Sequence, residues 1–328
     1  MEHGLGLQSN SVTKVMKVVT SRGKRLFLGV DGGQSSTTAL IGDASGRILA
    51  NGVGGPCNHV KAEEGRTRRI SAVTMAISNA CAQIGCAVDS IEFEAACLGF
   101  TGGIDGKEEI LRDIIRCRRL IVTDDVTIAL AGAHQDGTGI VTIAGTGSVS
   151  MGRNAAGDSA RAGGWGYAFG DEGGGWGIVR DALRAAFRWK EGWGPKTLLH
   201  DLFLRETGDS DIHVFRRRLY TEEYPRPRIA AFSKLVNEAA QQGDAVALNV
   251  LEKAAASLSA ITNFVRSQVF AQADSVDVAY LGGVFSSGIV LDEFRRKVDS
   301  EGHIRLIEPR HRPTMGALLE AIRLGQTE

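Results

Sequence analysis

A short stretch near the start of the chain has residue types that could bind a phosphate group. Residues 26–38 read Leu-Phe-Leu-Gly-Val-Asp-Gly-Gly-Gln-Ser-Ser-Thr-Thr, an apolar run followed by a turn with one carboxylate, two glycines and several hydroxyl side chains. Because glycine has no Cβ atom, Gly32 and Gly33 would let backbone N–H groups reach an anion. Asp31 could hold an accompanying Mg²⁺ through water. The stretch therefore predicts a strand, a phosphate-binding turn and a returning strand.

A second stretch in the middle of the chain repeats this pattern. Residues 139–150 read Gly-Ile-Val-Thr-Ile-Ala-Gly-Thr-Gly-Ser-Val-Ser, and similar polar turns, residues 43–46 and 154–157, close the two hairpins. A single glycine turn is common in ordinary hairpins. Two related copies predict two related half-molecules whose phosphate turns face each other across a cleft.

Strands and helices alternate between these two hairpins. Helical spacing of apolar residues predicts helices over 63–84 and 104–115, and β-forming runs predict strands over 92–100 and 119–123. Residues 52–59 are interpreted as a loop. The alternation predicts a largely parallel sheet covered by helices, with a hairpin at one edge. Ligand groups in such sheets gather at the carboxyl ends of the strands.

The second half begins with a glycine-framed stretch, residues 161–178, that contains Trp165, Asp171 and Glu172. It is too rich in glycine for a helix and too aromatic for a linker, which indicates contact with a ligand. The rest of the chain is predicted to be helical from 178 through 190, over 196–206, 228–241, 244–270, 287–298 and 313–324, with strands over 276–281 and 304–307.

Length and composition restrict the possible classes of protein. The 328 residues suit two domains, and the composition of 43% hydrophobic and 23% charged residues is typical of a soluble globular protein. The 38 basic residues equal the 38 acidic ones, so no basic field favours nucleic acid or an anionic membrane as a partner. No run approaches the ~20 apolar residues of a membrane span. Residues 1–25 are predicted to be a flexible extension.

The five cysteines and the isolated histidines suggest no metal site. No two cysteines form a Cys-x-x-Cys pair, their number is odd, and no signal peptide is recognised, so we expect reduced, mostly buried thiols in a cytoplasmic protein. His134 and His200 have no partner at metal-ligand spacing.

Five ordered motifs resemble one family of ATP-dependent proteins. They are residues 30–33, 122–124, 144–148, the pair 163–166 and 170–173, and 281–283. Together they resemble the N-acetylglucosamine kinase branch of the actin/hexokinase-type ATPases, often called the BadF/BadG/BcrA/BcrD ATPase family. The likeness extends from about Leu26 to the end of the chain.

The resemblance implies an α/β protein with a two-lobed ribonuclease H-like (actin/hexokinase-type) ATPase fold, in which helices flank mixed sheets. It implies an N-terminal lobe over 26–136 and a C-terminal lobe over 137–328, with the last helix, 313–325, able to pack back on the first lobe. ATP and Mg²⁺ would lie in the cleft between the lobes, and a sugar would lie beside the γ-phosphate.

The resemblance also implies roles for individual residues. ATP would be held by the first phosphate turn, Asp31, Gly32, Gly33, Gln34, Ser35 and Thr37, with Asp31 also facing the metal, and by the second, Gly145, Thr146, Gly147 and Ser148. Gly282 and Gly283 would contact adenosine, and Asp124 would act as general base. The sugar would be contacted by Asn58, Thr101, Gly164, Trp165 and Asp171.

Several of these roles have structural alternatives. Asp124 could instead cap a helix that starts near Val126, and its neighbour Asp125 could be the base, because a shift of one residue exchanges their directions. The family pattern, which has the acid directly after a threonine, favours Asp124. Asp171 could bond within its own loop, Trp165 could pack inside the lobe, and Asn58 could belong to a turn.

The activity implied by the resemblance is phosphorylation of the 6-hydroxyl of an aminosugar, N-acetylglucosamine or glucosamine. One alternative is an ATPase activator of an acyl-CoA dehydratase or reductase, whose [4Fe–4S] cluster needs cysteines after the second phosphate turn, where this sequence has none beyond Cys117. A second is a non-catalytic sugar or nucleotide sensor.

The long helix from Asp244 and the segment 190–228 could support a homodimer. The lobes are expected to close on the sugar.

Overall fold

The computed structural model describes residues 25–57, 62–102, 107–134, 136–299 and 303–326. The elements of the first half, in chain order, are β1 (Leu26–Gly32), β2 (Thr37–Asp43), β3 (Ile48–Gly54), α1 (Ala62–Gln83), β4 (Phe93–Phe100), α2 (Lys107–Arg112), β5 (Cys117–Asp124) and α3 (Asp125–Ala133).

The second half starts with another hairpin and is richer in helices. Its elements are β6 (Gly139–Ala144), β7 (Ser148–Arg153), β8 (Ser159–Gly163), α4 (Gly175–Lys190), α5 (Leu199–Thr207), α6 (Ile212–Arg218), α7 (Arg226–Ala231), α8 (Ser233–Gln241), α9 (Ala245–Val269), β9 (Val276–Leu281), α10 (Gly288–Val298), β10 (Ile304–Ile307) and α11 (Pro313–Leu324).

The two halves form sheets with the same strand order and directions. The first sheet runs β3-β2-β1-β4-β5 and the second β8-β7-β6-β9-β10. In each, three antiparallel strands come first, and two later strands run parallel to the first strand of the hairpin. The predicted pair of related, mixed sheets is therefore present. In the first sheet Gly32 pairs with Phe100 and Phe100 with Asp124, so the carboxyl ends of β1, β4 and β5 lie side by side.

Each half has a third antiparallel strand that was not predicted. Residues 52–59 were expected to be a loop, but β3 continues through Gly54. Gly52 and Gly54 face α1 so closely that a Cβ atom on either would overlap a carbonyl oxygen of that helix. The glycines that suggested a loop instead allow the helix to pack directly on the strand.

Most other elements lie within a few residues of their predicted bounds, with four differences, the first of which is α6 (Ile212–Arg218), a helix that was not predicted. The glycine-framed stretch, expected to be irregular throughout, contains the end of β8 and the first residues of α4. The single helix expected over 228–241 is two helices, α7 and α8, which meet at Phe232. The helix expected over 104–115 is described only from Lys107 and ends at Arg112.

Helices α3 and α11 lie between the two sheets. One side of α3 packs on the second sheet through Val126 and Leu130, while Ile128 packs with α11 and the first sheet. The two helices cross at Gly132 and Gly316, where a Cβ atom on Gly316 would overlap the carbonyl oxygen of Ile128. The contact between the halves therefore depends on a helix crossing with no room for a side chain.

Helix α9 is long and apolar enough, by length and composition, to cross a membrane, which the sequence analysis did not anticipate. In the structure it packs against α8, α10 and the second sheet. Leu251, Leu258 and Val265 are buried there. This face of the helix therefore belongs to the core of the second half.

None of the five cysteines, all of them among the described residues, forms a disulfide, and Cys57, Cys81 and Cys97 are buried. Burial, with the neighbouring Cys86 as a second cause, raises the pKa of Cys81 to about 11. This thiol is therefore protonated near neutral pH.

Replacing Gly316 by alanine is expected to lower the free energy of unfolding by about 1–3 kcal/mol, because the methyl group would push α3 and α11 apart. Urea unfolding followed by circular dichroism measures the change. Gly288→Ala is the matched control, since Gly288 begins α10 and a Cβ atom there meets nothing within 4 Å. Equal losses in the two variants would contradict the importance of the crossing.

Candidate active site

Backbone hydrogen bonds shape the first glycine turn, which joins β1 to β2. The N–H of Gly33 donates to the carbonyl of Ser36 at 3.0 Å. Gln34 is half-buried and Ser35 is exposed at the tip. Thr37 is fully buried, and its hydroxyl donates at 2.8 Å to a carbonyl of the segment after β3. The turn therefore offers Gln34, Ser35 and backbone groups to a ligand, whereas the Thr37 hydroxyl bonds within the protein.

The second glycine turn joins β6 to β7 and rests on the start of α4. The N–H of Gly145 donates to the carbonyl of Gly147 at 2.9 Å, and two N–H groups of α4 donate to the carbonyls of Gly145 and Thr146 at 2.8 and 3.0 Å. The buried hydroxyl of Ser148 donates at 2.7 Å to a carbonyl of the glycine-framed stretch. A Cβ atom on Gly145 would meet no protein atom within 4 Å. Gly145 therefore leaves space that a ligand could occupy.

A cavity of about 400 Å³ opens between the second turn and the start of α10. Gly145 and Thr146 line one side and Gly283 lines the other, with residues of α7, α8 and α9 completing the wall. Gly282 has a φ of +106°, and a Cβ atom on it would overlap the carbonyl of Ala144. A Cβ atom on Gly283 would meet nothing within 4 Å. Gly282 is thus required by the protein's own packing, whereas Gly283 leaves room for a ligand.

Two polar side chains that line this cavity, Asn237 and Ser287, are hydrogen-bonded to each other. The hydroxyl of Ser287 donates to Oδ1 of Asn237 at 2.6 Å and accepts the N–H of Val290 at the start of α10 at 3.3 Å. With its oxygen engaged, the Asn237 amide has its NH₂ group as the donor for a ligand in the cavity. The ring nitrogens of a purine are acceptors of the matching kind.

Three carboxylates, Asp31, Asp124 and Asp125, lie close together where β1 and β5 end. Asp124 caps α3, because its Oδ1 accepts the backbone N–H and the hydroxyl of Thr127 at 2.9 and 2.5 Å. Its Oδ2 accepts Nη1 of Arg161 at 2.7 Å. Both oxygens of Asp124 therefore have protein partners, and its capping role, which the sequence left as an alternative, is the one observed.

Asp125 has a different environment from Asp124. Its Oδ2 accepts the hydroxyl of Thr101, at the end of β4, at 2.9 Å. Burial raises the pKa of Asp125, and the bond from Thr101 opposes this effect. No ion pair involving Asp125 occurs among the described residues. Asp125 is therefore a half-buried carboxylate beside Thr101, where β4 ends.

The surroundings of Asp31 suit a divalent cation. Burial, with the charge of Asp125 as the second cause, raises the pKa of Asp31 to about 6. A bound Mg²⁺ would relieve the repulsion between two carboxylates. The described residues contain no group of three or more metal-ligating side chains placed to hold a metal on their own. This donor set fits Mg²⁺ that keeps water ligands and is shared with nucleotide phosphates.

The glycine-framed stretch exposes large aromatic side chains. Trp165 is 79% exposed and Phe169 is 87% exposed. Gly164, with a φ of +72°, donates its N–H to a carbonyl of β7 at 2.8 Å, which ties the stretch to the second sheet. Tyr167 packs edge-on against Trp176 with ring centroids 5.1 Å apart. Trp165 is therefore available to a ligand and is not packed inside its lobe.

Asp171 lies beside the second turn. A Cβ atom on Gly147 would be 2.5 Å from the Asp171 carboxyl carbon, and the N–H of Ser148 lies 3.5 Å from Oδ1. Burial raises the pKa of Asp171. The side chain therefore has contacts within the protein, one of the two roles that its sequence context suggested, while it stays close to the exposed Trp165 loop.

The predicted site residues separate into two groups. Asp31 and Thr101 lie near Asp125 at one edge of the first sheet, and Gly145, Thr146 and Gly283 line the cavity of the second half. Gly32 packs beneath the ring of Phe100. Asn58 falls outside the described residues.

Sequence reasoning missed Arg161 and Asn237. Arg161 gave only a weak signal, as a basic residue close before a pair of glycines. Asn237 gave no signal, because it reaches the cavity only through the packing of α8.

The chain has two mixed sheets of equal topology, each with a glycine turn in its first hairpin, and solved ATP-dependent kinases share this fold. A crystal structure from Chromobacterium violaceum, whose name marks it as a candidate N-acetylglucosamine kinase, matches with a TM-score of 0.71 and 26% identity, over 90% of this chain and 98% of that one. A glucokinase of the ROK family from Streptomyces griseus shares the fold, with a TM-score of 0.53 and 19% identity over 90% and 98% of the chains. The two-lobed actin/hexokinase-type fold is confirmed.

The model of the BadF/BadG/BcrA/BcrD ATPase family matches residues 28–321, and the chain belongs to this family. The N-acetylmuramic acid/N-acetylglucosamine kinase of Clostridium acetobutylicum is 32% identical over 308 residues, 90% of this chain and 98% of that protein. The N-acetyl-D-glucosamine kinase of Dictyostelium discoideum is 28% identical over 317 residues, 91% and 98% of the two chains.

Gly283→Ala is expected to raise the Kd for ATP about tenfold, because the methyl group would occupy ligand space. The melting temperature should not change, since the methyl group meets no protein atom within 4 Å. Gly282→Ala should instead lower the melting temperature, because its φ of +106° strains any other residue. Calorimetric titration and thermal unfolding measure the two effects. Loss of stability without loss of binding in Gly283→Ala would contradict this assignment.

Asp31 is expected to lower the stability of the ligand-free protein near neutral pH. Its pKa of about 6 when folded is above the usual value near 3.9, so stability falls as the pH rises from about 4 to about 6. Asp31→Asn should therefore raise the free energy of unfolding at pH 7.5 by on the order of 1 kcal/mol, with a smaller gain at pH 5. Urea unfolding at both pH values, with the exposed Asp113→Asn as control, tests this. Equal gains at the two pH values would be inconsistent with it.

Proposed function

We propose that the chain is an ATP-dependent sugar kinase that phosphorylates the 6-hydroxyl of an aminosugar, N-acetylglucosamine or glucosamine. The observation that carries this proposal is the half-buried Asp125, which accepts the hydroxyl of Thr101 beside the first glycine turn and whose pKa is raised. Phosphoryl transfer needs positioned phosphates and one group that accepts the hydroxyl proton. The family match and the two relatives, which are named as kinases of N-acetylated sugars, support this class of reaction.

Asp125 is proposed as the general base in place of Asp124, which the sequence pattern favoured. Both oxygens of Asp124 already accept hydrogen bonds from Thr127 and Arg161. A base needs an oxygen within hydrogen-bond reach of the substrate hydroxyl. Asp125 has no such ion pair, and burial, which raises its pKa, strengthens it as a proton acceptor. In the reaction, Asp125 takes the 6-hydroxyl proton as the sugar oxygen bonds to the γ-phosphorus and the bond from phosphorus to ADP breaks.

The two glycine turns would hold the phosphates of ATP from opposite sides. The first would contribute Gly33, Gln34 and Ser35, with Gly32 and Thr37 shaping it from inside. The second would contribute its backbone over 145–148. Mg²⁺, held near Asp31 through water, would neutralise charge on the phosphates. Adenosine would enter the cavity lined by Gly283, with Gly282 setting the turn.

The sugar would lie between the end of the first sheet and the glycine-framed stretch. Gly164, Trp165 and Asp171 would contact it from the second half. Thr101 and Asn58 would contact it from the first. An exposed indole presents an apolar face to the C–H groups of a sugar ring, and carboxylate and amide oxygens accept from its hydroxyls.

Two other functions are disfavoured. An activator of an acyl-CoA dehydratase or reductase would need thiolates for an iron–sulfur cluster after the second turn, and no cysteine follows Cys117 in the sequence. A non-catalytic sugar or nucleotide sensor would not need a carboxylate of raised pKa beside the phosphate turn. Cytoplasmic location, a possible homodimer and the lack of nucleic-acid or membrane partners remain predictions from the sequence.

ADP release from Mg·ATP should depend on the sugar supplied. We expect turnover with N-acetylglucosamine or glucosamine, and Asp125→Asn should lower kcat by about 10²–10⁴-fold. Asp124→Asn should cause a smaller loss, because Asp124 caps α3 and pairs with Arg161 but does not take the proton in this proposal. A coupled ADP assay with a panel of aminosugars and hexoses measures this.

The alternatives give different results in the same assay. A larger loss in Asp124→Asn than in Asp125→Asn would make Asp124 the base. Tight sugar binding without turnover in the wild type would favour the sensor and refute the kinase.

A further inference from the structure

Arg161 connects the two halves of the molecule beside the candidate base. It lies on β8, at the edge of the second sheet, opposite Met151 of β7. Its Nη1 donates at 2.7 Å to Oδ2 of Asp124, the last residue of β5 in the first sheet. A single ion pair therefore joins the edge of one sheet to the carboxyl end of a strand in the other.

The carboxylate that receives Arg161 also begins the helix that carries Asp125. Oδ1 of Asp124 accepts the N–H of Thr127 at 2.9 Å, which fixes the first turn of α3. Asp125 is the next residue after Asp124, and its own carboxylate accepts from Thr101. Movement of Asp124 would therefore move Asp125 as well.

The guanidinium of Arg161 also lies against the proposed sugar loop. A Cβ atom on Gly164 would be 2.6 Å from Nη2 of Arg161, so the guanidinium occupies the space where a side chain at this position would lie. Gly164 is the residue before the exposed Trp165. Arg161 is thus in contact with the loop on one side and with the cap of α3 on the other.

Arg161 also supplies a positive charge beside neighbouring carboxylates. Asp31, Asp124 and Asp125 lie close together; the charge of Asp124 helps to raise the pKa of Asp125, and the charge of Asp125 helps to raise that of Asp31. Arg161 adds a positive charge among them, and its charge favours the ionised form of Asp125. Thr101, the remaining contact from β4, is neutral.

We propose that Arg161 is a positioning residue for phosphoryl transfer that acts through Asp124 and fixes the start of α3, and with it Asp125, relative to the sugar loop. For the reaction itself this rests on the proposed kinase function. The side chains of Arg161 and Asp124 are 43% and 22% exposed, and a partly exposed ion pair contributes little to stability. Its effect is therefore on geometry, since a displacement of about 1 Å in an active site can cost on the order of a hundredfold in rate.

The test compares Arg161→Met, Arg161→Lys, Asp124→Asn and the double variant Arg161→Met/Asp124→Asn. Arg161→Met should lower kcat by about tenfold to a hundredfold with an unchanged KM for ATP, and lysine should restore part of the loss. The double variant should be no worse than the worse single variant, because both changes break one link. The control is Arg305→Met, which removes an ion pair of similar length, 2.6 Å to Asp277, at the opposite edge of the same sheet.

A second measurement does not depend on activity. Hydrogen exchange of the first turn of α3 should become several-fold faster in Arg161→Met and stay unchanged in Arg305→Met. If the wild type shows no turnover with any sugar, the kinase proposal fails, and exchange still tests the anchor.

Three outcomes would overturn the inference. An unchanged kcat and unchanged exchange in Arg161→Met would show that the pair has no positioning role. Losses that multiply in the double variant would mean that Arg161 acts on the ligand directly. A large fall in melting temperature in Arg161→Met, but not in Arg305→Met, would make the role structural.

Discussion

The close crossing of α3 and α11 is the contact on which the two halves of the molecule depend. α3 covers the second sheet, while α11, from the far end of the chain, completes the core of the first sheet with Phe27 and Leu318. Gly132 and Gly316 let the helix backbones touch. Because closely packed helices can slide but cannot be compressed, any closure of the lobes would have to slide or rotate α3 and α11 against each other.

The helix that joins the halves also carries the candidate base. α3 begins directly at the end of β5, so two consecutive acids face different neighbours. Asp124 turns to the helix N-terminus and to Arg161, whereas Asp125 turns to Thr101. The same short junction therefore fixes the start of the helix, joins the sheets through Arg161 and directs the carboxylate of Asp125 toward Thr101, so the candidate site depends on the relative position of the halves.

The charges of the site are arranged for a ligand at some cost to the ligand-free protein. Burial raises the pKa of both Asp31 and Asp125, and a neighbouring carboxylate adds to each effect, Asp125 at Asp31 and Asp124 at Asp125. Such strain is typical of functional sites. Gly145 and Gly283 are likewise suited to a ligand, since a Cβ atom on either would meet no protein atom within 4 Å. In the second half, Gly282 and Gly147 are instead required by contacts within the protein.

The sequence by itself determined the two glycine hairpins, the alternation of strands and helices, the relationship of the halves and the family, because these depend on local periodicity and turn chemistry. Only the tertiary structure showed that Asp124 caps α3 and pairs with Arg161 while Asp125 accepts from Thr101, since a difference of one residue at a strand–helix junction reverses a side chain's direction. It also showed that α1 packs directly on the glycines of β3, that Arg161 contacts Asp124 and that Asn237 lines the cavity of the second half. Such contacts join segments that are distant in the chain, and packing alone brings them together.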